Sequence, residues 1–170
     1  TNIVTLSFWM KWTTNANDDD LAFEYTPNYN SNAGGFIADW NSSNYGGGKF
    51  EVGMGKGDGT YWTDLFTRPS AGTWHLIHLV FNRSGSTNKA YVDGFLQTLT
   101  TGTRTASSMG NFSNSSLYFM SRAASSLNAA GTLDQVRLST IERSASWTAT
   151  EYNNQSSPGT FMTMSSESCH

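Results

Sequence analysis

The chain has 170 residues, of which 37% are hydrophobic and only 14% charged, with a formal net charge of −3. That length suits one all-β domain with its own core. The lack of a basic stripe argues against a nucleic-acid partner, and no run of residues is long and apolar enough for a membrane-spanning helix. A lone cysteine, Cys169, beside the terminal His170, excludes an internal disulfide and a thiolate metal cluster. The polar remainder is Ser, Thr, Asn and Gly rather than Lys and Glu, which is the balance of short strands and many turns.

Leu6-Ser-Phe-Trp-Met-Lys-Trp12 alternates with period two and sets Leu6, Phe8, Met10 and Trp12 on one face. Trp9 points the other way, so this strand is expected to be central and covered on both sides. A polar loop over 15–20 contains Asp18, Asp19 and Asp20. Strands are expected over 21–25, 36–40, 50–54 and 61–66, joined by a long polar loop (27–35), a loop with three glycines (41–48) and a glycine-rich turn (55–59). Trp74 to Phe81 is the strongest strand, with His75, Ile77, Leu79 and Phe81 on one face and Trp74, Leu76, His78 and Val80 on the other.

Asp93-Gly94 between Lys89–Val92 and Phe95–Gln97 predicts a hairpin with a type I′ turn. Ser116 to Met120 reads as a further strand. In Gly131–Ser139 the period-two count puts Asp134, Val136 and Leu138 on one face, so Asp134 is expected to point inward. A helix of about two turns starts near Ser144, capped by Ser144 or by Thr148 with Glu151 three residues on. Pro158 is expected to end it, and residues 160–164 read as a closing strand. No linker, repeat or shift in composition divides residues 1–170, so a single domain is expected.

Four motifs recur in order: Phe8-Trp9, Gly72-Thr-Trp-His75, Tyr91-Val-Asp-Gly94 and Gly131-Thr-Leu-Asp-Gln-Val-Arg137, the last followed by a short helix carrying Trp147 and Tyr152. On these the chain resembles the laminin G-like jelly rolls of the concanavalin A-like lectin/glucanase superfamily, in the version of bacterial surface proteins. The resemblance implies an all-β fold, a two-sheet antiparallel β-sandwich with one short helix near the C-terminus. It also implies an extracellular or cell-surface setting, and a strand before the Phe8-Trp9 strand. Since the sequence begins at Thr1, a fragment or distal module of a longer protein is expected. The edge left open would be filled by the C-terminal strand or by a neighbouring subunit, which raises a homo-oligomer such as a trimer.

An inward Asp134 must be hydrogen-bonded, paired or metal-bound. It is either a carboxylate bonded to backbone N–H groups in a turn or a ligand of a structural Ca2+, which takes about 6–8 oxygens. Asp18, Asp19 and Asp20 lack the spacing of a calcium loop and read as a solvated loop. Catalysis is not expected. The strand-borne Glu-x-Asp-x-Glu of the superfamily's glycosidases is missing, as is a Gly-x-Ser-x-Gly elbow, and His75 and His78 lie on opposite faces. The remaining signal is aromatic. Trp40, Tyr45, Tyr61 and Trp62 flank Gly/Asn-rich segments, with Asp39, Asn41, Asn44 and Asp64 close by. Aromatic faces can stack on sugar rings while amides and carboxylates bond the hydroxyls; the other reading of Trp40 and Trp62 is that they belong to the core, as aromatics in a sandwich usually do. The expected function is a non-catalytic recognition module for a glycan or other surface ligand. The alternative is a structural or assembly module, such as the tip of a trimeric adhesive or tail-like fibre.

Overall fold

The computed structural model describes residues 2–13 and 19–161. Asp18, Cys169, His170 and residues 162–164 of the expected closing strand lie outside the described residues. The chain runs β1 (Ile3–Trp12), β2 (Leu21–Tyr25), β3 (Phe36–Asp39), β4 (Lys49–Gly55), β5 (Tyr61–Thr67), β6 (Trp74–Asn82), β7 (Thr87–Val92), β8 (Phe95–Leu96), β9 (Thr100–Arg104), β10 (Leu117–Phe119), β11 (Gly131–Ser139), α1 (Ala145–Ser156) and α2 (Pro158–Phe161). Two antiparallel sheets result, β11-β1-β6-β7-β8 and β10-β2-β3-β4-β5-β9, which is the expected β-sandwich.

The alternation in β1 buries Leu6, Phe8, Met10 and Trp12 in the core. Aromatic contacts then cross from one sheet to the other. Phe8 meets Phe23 at 4.6 Å between ring centroids, Trp12 stacks on Trp40 at 4.7 Å, and Phe81 stacks on Phe36 at 4.3 Å. Beyond their buried area, such pairs contribute about 0.5–1.5 kcal/mol each. Trp9, on the other face of β1, lies under α1, where its indole N–H donates to Gln155 and its ring meets Tyr152. β1 is therefore central. Both of its edges are taken, one by β6 and one by β11, so the open edge that suggested a neighbouring subunit does not exist there.

The Asp93-Gly94 hairpin forms as its dipeptide demands, with φ of 52° and 83° at the two turn residues. Ser144 caps α1 by accepting from the Trp147 N–H. The structure departs from the sequence reading at three points, the first a strand that was not expected. β9 carries threonines in place of an apolar alternation, so nothing in its pattern marks it as the edge partner of β5. Pro158 opens α2 instead of preceding a strand, because proline's fixed φ and missing N–H suit the first helical position.

The third concerns Asp134. Between the pairs Ser7↔Arg137 and Trp9↔Asp134, two residues of β11 face the single Phe8 of β1. Gln135 takes a φ of 49° in this bulge. The extra residue shifts the phase of the strand, so Leu133 and Val136 pack on the core. Asp134 and Leu138 turn out to solvent. Asp134 accepts a hydrogen bond from the Gln135 N–H at 2.7 Å, which fastens the bulge itself.

Arg83, only 2% exposed, joins three segments at one end of the sandwich. Its guanidinium donates to the carbonyls of Gly35 (2.9 Å), Gly55 (2.6 Å) and Met109, and lies 5.2 Å from the centre of the Phe112 ring. Burial lowers its pKa to about 10, so it stays charged at neutral pH. Arg83→Met keeps much of the stem but leaves three carbonyls without this donor. It is expected to cost about 3 kcal/mol or more in urea unfolding; a loss below about 1 kcal/mol would show that the carbonyls find other partners.

Candidate functional site

Because Phe36 and Ala38 of β3 and Phe50, Val52 and Met54 of β4 point into the core, Ile37, Asp39, Glu51 and Gly53 must point outward. The register sets Asp39 directly opposite Glu51 and Ile37 opposite Gly53. Cβ atoms of such cross-strand partners lie about 5 Å apart. Tyr61 and Thr63 of β5 and Glu24 of β2 share this outer face, which is covered by loops.

Glycine makes that covering possible. A Cβ on Gly55 would overlap the Tyr29 carbonyl, and one on Gly53 would come within 3.1 Å of the Tyr29 ring. The loop after β2 can therefore lie flat on β4 and bring Tyr29 over the sheet. On the far side, the 3-10 turn Ser43–Tyr45 delivers Tyr45, whose hydroxyl bonds Thr63 at 2.7 Å and Thr103 at 2.8 Å. A Cβ on Gly102 would stand 2.9 Å from that hydroxyl.

Between these loops lies a cleft of about 330 Å3. Its walls include Tyr29, Tyr45 and Tyr61, its floor Ile37, Asp39 and Glu51, and its rim Asp19, Asn30, Asn44 and Arg122. The Tyr29 and Tyr61 rings meet edge to face at 5.9 Å. Asp19 also accepts from the Ser43 N–H at 2.7 Å and so anchors the turn that carries Tyr45.

The floor is electrostatically unusual. Asp39 and Glu51 are each 2% exposed. One Asp39 oxygen accepts from the N–H groups of Asp20 and Asn41, both at 3.0 Å. Even so, burial, reinforced by the nearby charges of Asp19 and Glu51, pushes the Asp39 carboxyl up to about 8. Burial pushes Glu51 up to about 7, opposed by the Ser42 hydroxyl that donates to it. Glu24 is raised by burial too, although Arg122 and the Tyr29 N–H both bond it at 2.8 Å. Near neutral pH the floor thus offers carboxyl groups that donate as well as accept hydrogen bonds.

Of the residues singled out in the sequence, the structure brings Asp39, Tyr45, Tyr61 and Asn44 to this cleft. It does not bring Trp40, Asn41, Trp62 or Asp64 there. Trp40 is fully buried against Trp12, so its ring faces no ligand. Trp62 packs on the core, donates to the Ala106 carbonyl at 2.6 Å and lies 4.8 Å from the Arg104 guanidinium. Asn41 is buried and accepts from Arg68, and Asp64 is bonded to Asn88 and Arg104. Asp19 and Asp20 do not form the expected solvated loop: Asp20 is 1% exposed and Asp19 lines the cleft. Tyr29, Glu51 and Arg122 were missed. The alternation Phe50-Glu-Val-Gly-Met54 pointed Glu51 outward and was the one usable signal among these.

The inward setting on which a calcium role for Asp134 was expected is not what the structure shows. Asp134 is exposed on the other sheet and engaged with its own bulge. Among the described residues no three His, Cys, Asp or Glu side chains form a metal-binding group.

Residues 1–149 match the sequence profile Laminin_G_3, concanavalin A-like lectin/glucanases superfamily. The chain belongs to that superfamily. No curated protein matches it. Among solved structures, this laminin G-type domain resembles the binding domain of botulinum neurotoxin serotype G, with a TM-score of 0.65 and 13% identity over 92% of this chain and 37% of that one. It also resembles the receptor binding domain of the mosaic serotype C/D neurotoxin, with a TM-score of 0.63 and 14% identity over 91% and 37% of the two chains. The chain spans a little over a third of those structures, and at such identity the likeness is one of fold.

The carboxyl floor has a measurable consequence. A group whose pKa is raised in the folded state contributes stability that is present below its unfolded value and lost as pH rises through the folded one. Asp39 and Glu51 should therefore lower the stability of the domain progressively from about pH 4 to about pH 8, and the last part of that fall, between pH 7 and 9 where His78, lowered by burial, is neutral, belongs mainly to Asp39. Asp39→Asn keeps an oxygen for the Asp20 and Asn41 N–H groups. Its thermal unfolding should show a shallower fall across that range, and a melting temperature at pH 9 at or above that of the parent. Parallel pH profiles for the two proteins would show that Asp39 is already ionised at pH 7.

Proposed function

We propose that this domain is a non-catalytic recognition module of a surface or extracellular protein, and that the cleft on the outer face of its six-stranded sheet binds a glycan. The observation that carries this reading is the convergence of three tyrosine side chains and two buried carboxyl groups on one open cleft. Rings of Tyr45 and Tyr61, both half-exposed, offer apolar faces to a pyranose ring. Asp39, Glu51, Asn30 and Asn44 offer fixed acceptors and donors for its hydroxyls. Apolar walls with a few placed polar groups are the usual make-up of a small-molecule site.

The superfamily membership supports the reading, and so does the likeness in fold to neurotoxin binding domains. Hydrolysis is not part of it. One oxygen of Asp39 is held by two backbone N–H groups and one of Glu51 accepts from Ser42, which fixes both carboxyls as hydrogen-bonding groups.

A glycan array on the purified domain, followed by calorimetry on the best binder, tests this. Tyr61→Ala should weaken that binder by about tenfold or more, the size of one stacking contact, while the circular dichroism spectrum is unchanged. Trp62→Phe, on the core side of the same strand, should leave affinity within about twofold. An array without saturable binders, or a Tyr61→Ala variant that binds like the parent, would sink the proposal.

A further inference from the structure

A second cavity, of about 380 Å3, lies on the opposite sheet, where β1 and β11 meet the start of α1. Thr5, Ser7, Arg137, Leu138, Ser139, Arg143 and Trp147 line it. Its position follows from register and contact. Ser7 is paired with Arg137 of β11 on one side and with His78 of β6 on the other. His78 meets Trp147 edge to face at 5.7 Å, and the Arg143 guanidinium lies 4.6 Å from the centre of the Trp147 ring.

Two hydrogen-bonding groups in this lining are unsatisfied. The Ser7 side chain is 3% exposed and its hydroxyl has no partner. The Nε–H of Arg143 is buried without an acceptor, and Arg143 has no ion-pair partner among the described residues. The other charges nearby are already engaged. Glu151 takes Arg137 on one oxygen and the His78 Nε2–H on the other at 2.7 Å, and Glu142 takes Lys89. Thr5 donates to the Ile141 carbonyl at 2.7 Å. What remains is a cavity with a spare cation and a spare hydroxyl, beside the N-terminal end of α1, where the helix dipole adds positive potential. Buried donors without acceptors are costly, and an oxyanion supplies acceptors to both.

We propose that this cavity binds a small oxyanion group, of the size of a sulfate, either free or carried by an acidic sugar, with Arg143 as its ion-pair partner and Ser7 as a hydrogen-bond donor. Exposed Leu138 and half-exposed Trp147 form an apolar border against which a sugar ring can lie. The proposal stands apart from the cleft, which is on the other sheet.

The experiment titrates sodium sulfate against sodium chloride at matched ionic strength and follows thermal unfolding. Galactose 6-sulfate and plain galactose are titrated in parallel. Sulfate is expected to raise the melting temperature saturably, as ligand linkage requires, and chloride is not. Arg143→Gln should weaken the sulfate effect by about tenfold or more, the usual weight of a charge-assisted hydrogen bond. Ser7→Ala provides the control for folding. Without sulfate it should be as stable as the parent or more so, because it removes an unpaired buried hydroxyl; with sulfate it should gain less. Galactose 6-sulfate binding more tightly than sulfate would assign the group to a sugar, and equal affinity would assign it to the free anion. A sulfate effect that is absent, unsaturable or unchanged in Arg143→Gln would overturn the proposal and leave the cavity to water.

Discussion

Contact between aromatic rings across the two sheets is what the rest of this molecule depends on. Phe8 on Phe23, Trp12 on Trp40 and Phe81 on Phe36 each join a residue of the five-stranded sheet, or its central strand, to one of the six-stranded sheet or its flank. With the inner faces committed in this way, period-two alternation leaves no freedom on the outer ones. Every second residue of β3 and β4 must look outward, and there the chain has Asp39, Glu51 and Ile37. Helix α1 covers part of the outer face of the five-stranded sheet. Loops cover the outer face of the other, and a cleft forms between them.

Burying carboxyls under those loops opposes folding. Removal from water disfavours the charged carboxylate, and it pushes the Asp39 carboxyl up to about 8. Apolar residues at these positions would serve stability better. Proteins commonly carry such local costs at functional sites, which is why the cleft is proposed as the recognition site. The same logic applies on a smaller scale to the unpaired Ser7 hydroxyl and Arg143 Nε–H on the opposite sheet.

How much of this was legible in the sequence depends on whether local periodicity governed the residue. The central strand, the two faces of β6, the Asp93-Gly94 hairpin and the capped helix all follow from short-range rules, and the structure agrees with them. Asp134 failed because one extra residue at Gln135 reverses the phase of a strand, and nothing in Gly131–Ser139 announces a bulge. Trp40 was misassigned because glycine and asparagine follow it, while its partner Trp12 lies 28 residues earlier in the chain. Asp39, Tyr45 and Tyr61, which line the cleft, were singled out by their neighbourhood. Tyr29 and Arg122 were not, since each reaches the cleft only because a loop folds back over the sheet, Tyr29 through the room that Gly53 and Gly55 leave.

The central claim is that the cleft floor holds carboxyl groups kept largely out of water and poised near neutrality. Carbon-13 NMR of the side-chain carboxyl resonances of Asp39 and Glu51, followed from pH 3 to pH 9, tests it most directly. The account predicts midpoints at about 8 for Asp39 and about 7 for Glu51. Midpoints near the ordinary value of about 4 for both would mean that water reaches these groups freely, and the cleft as described here would not exist.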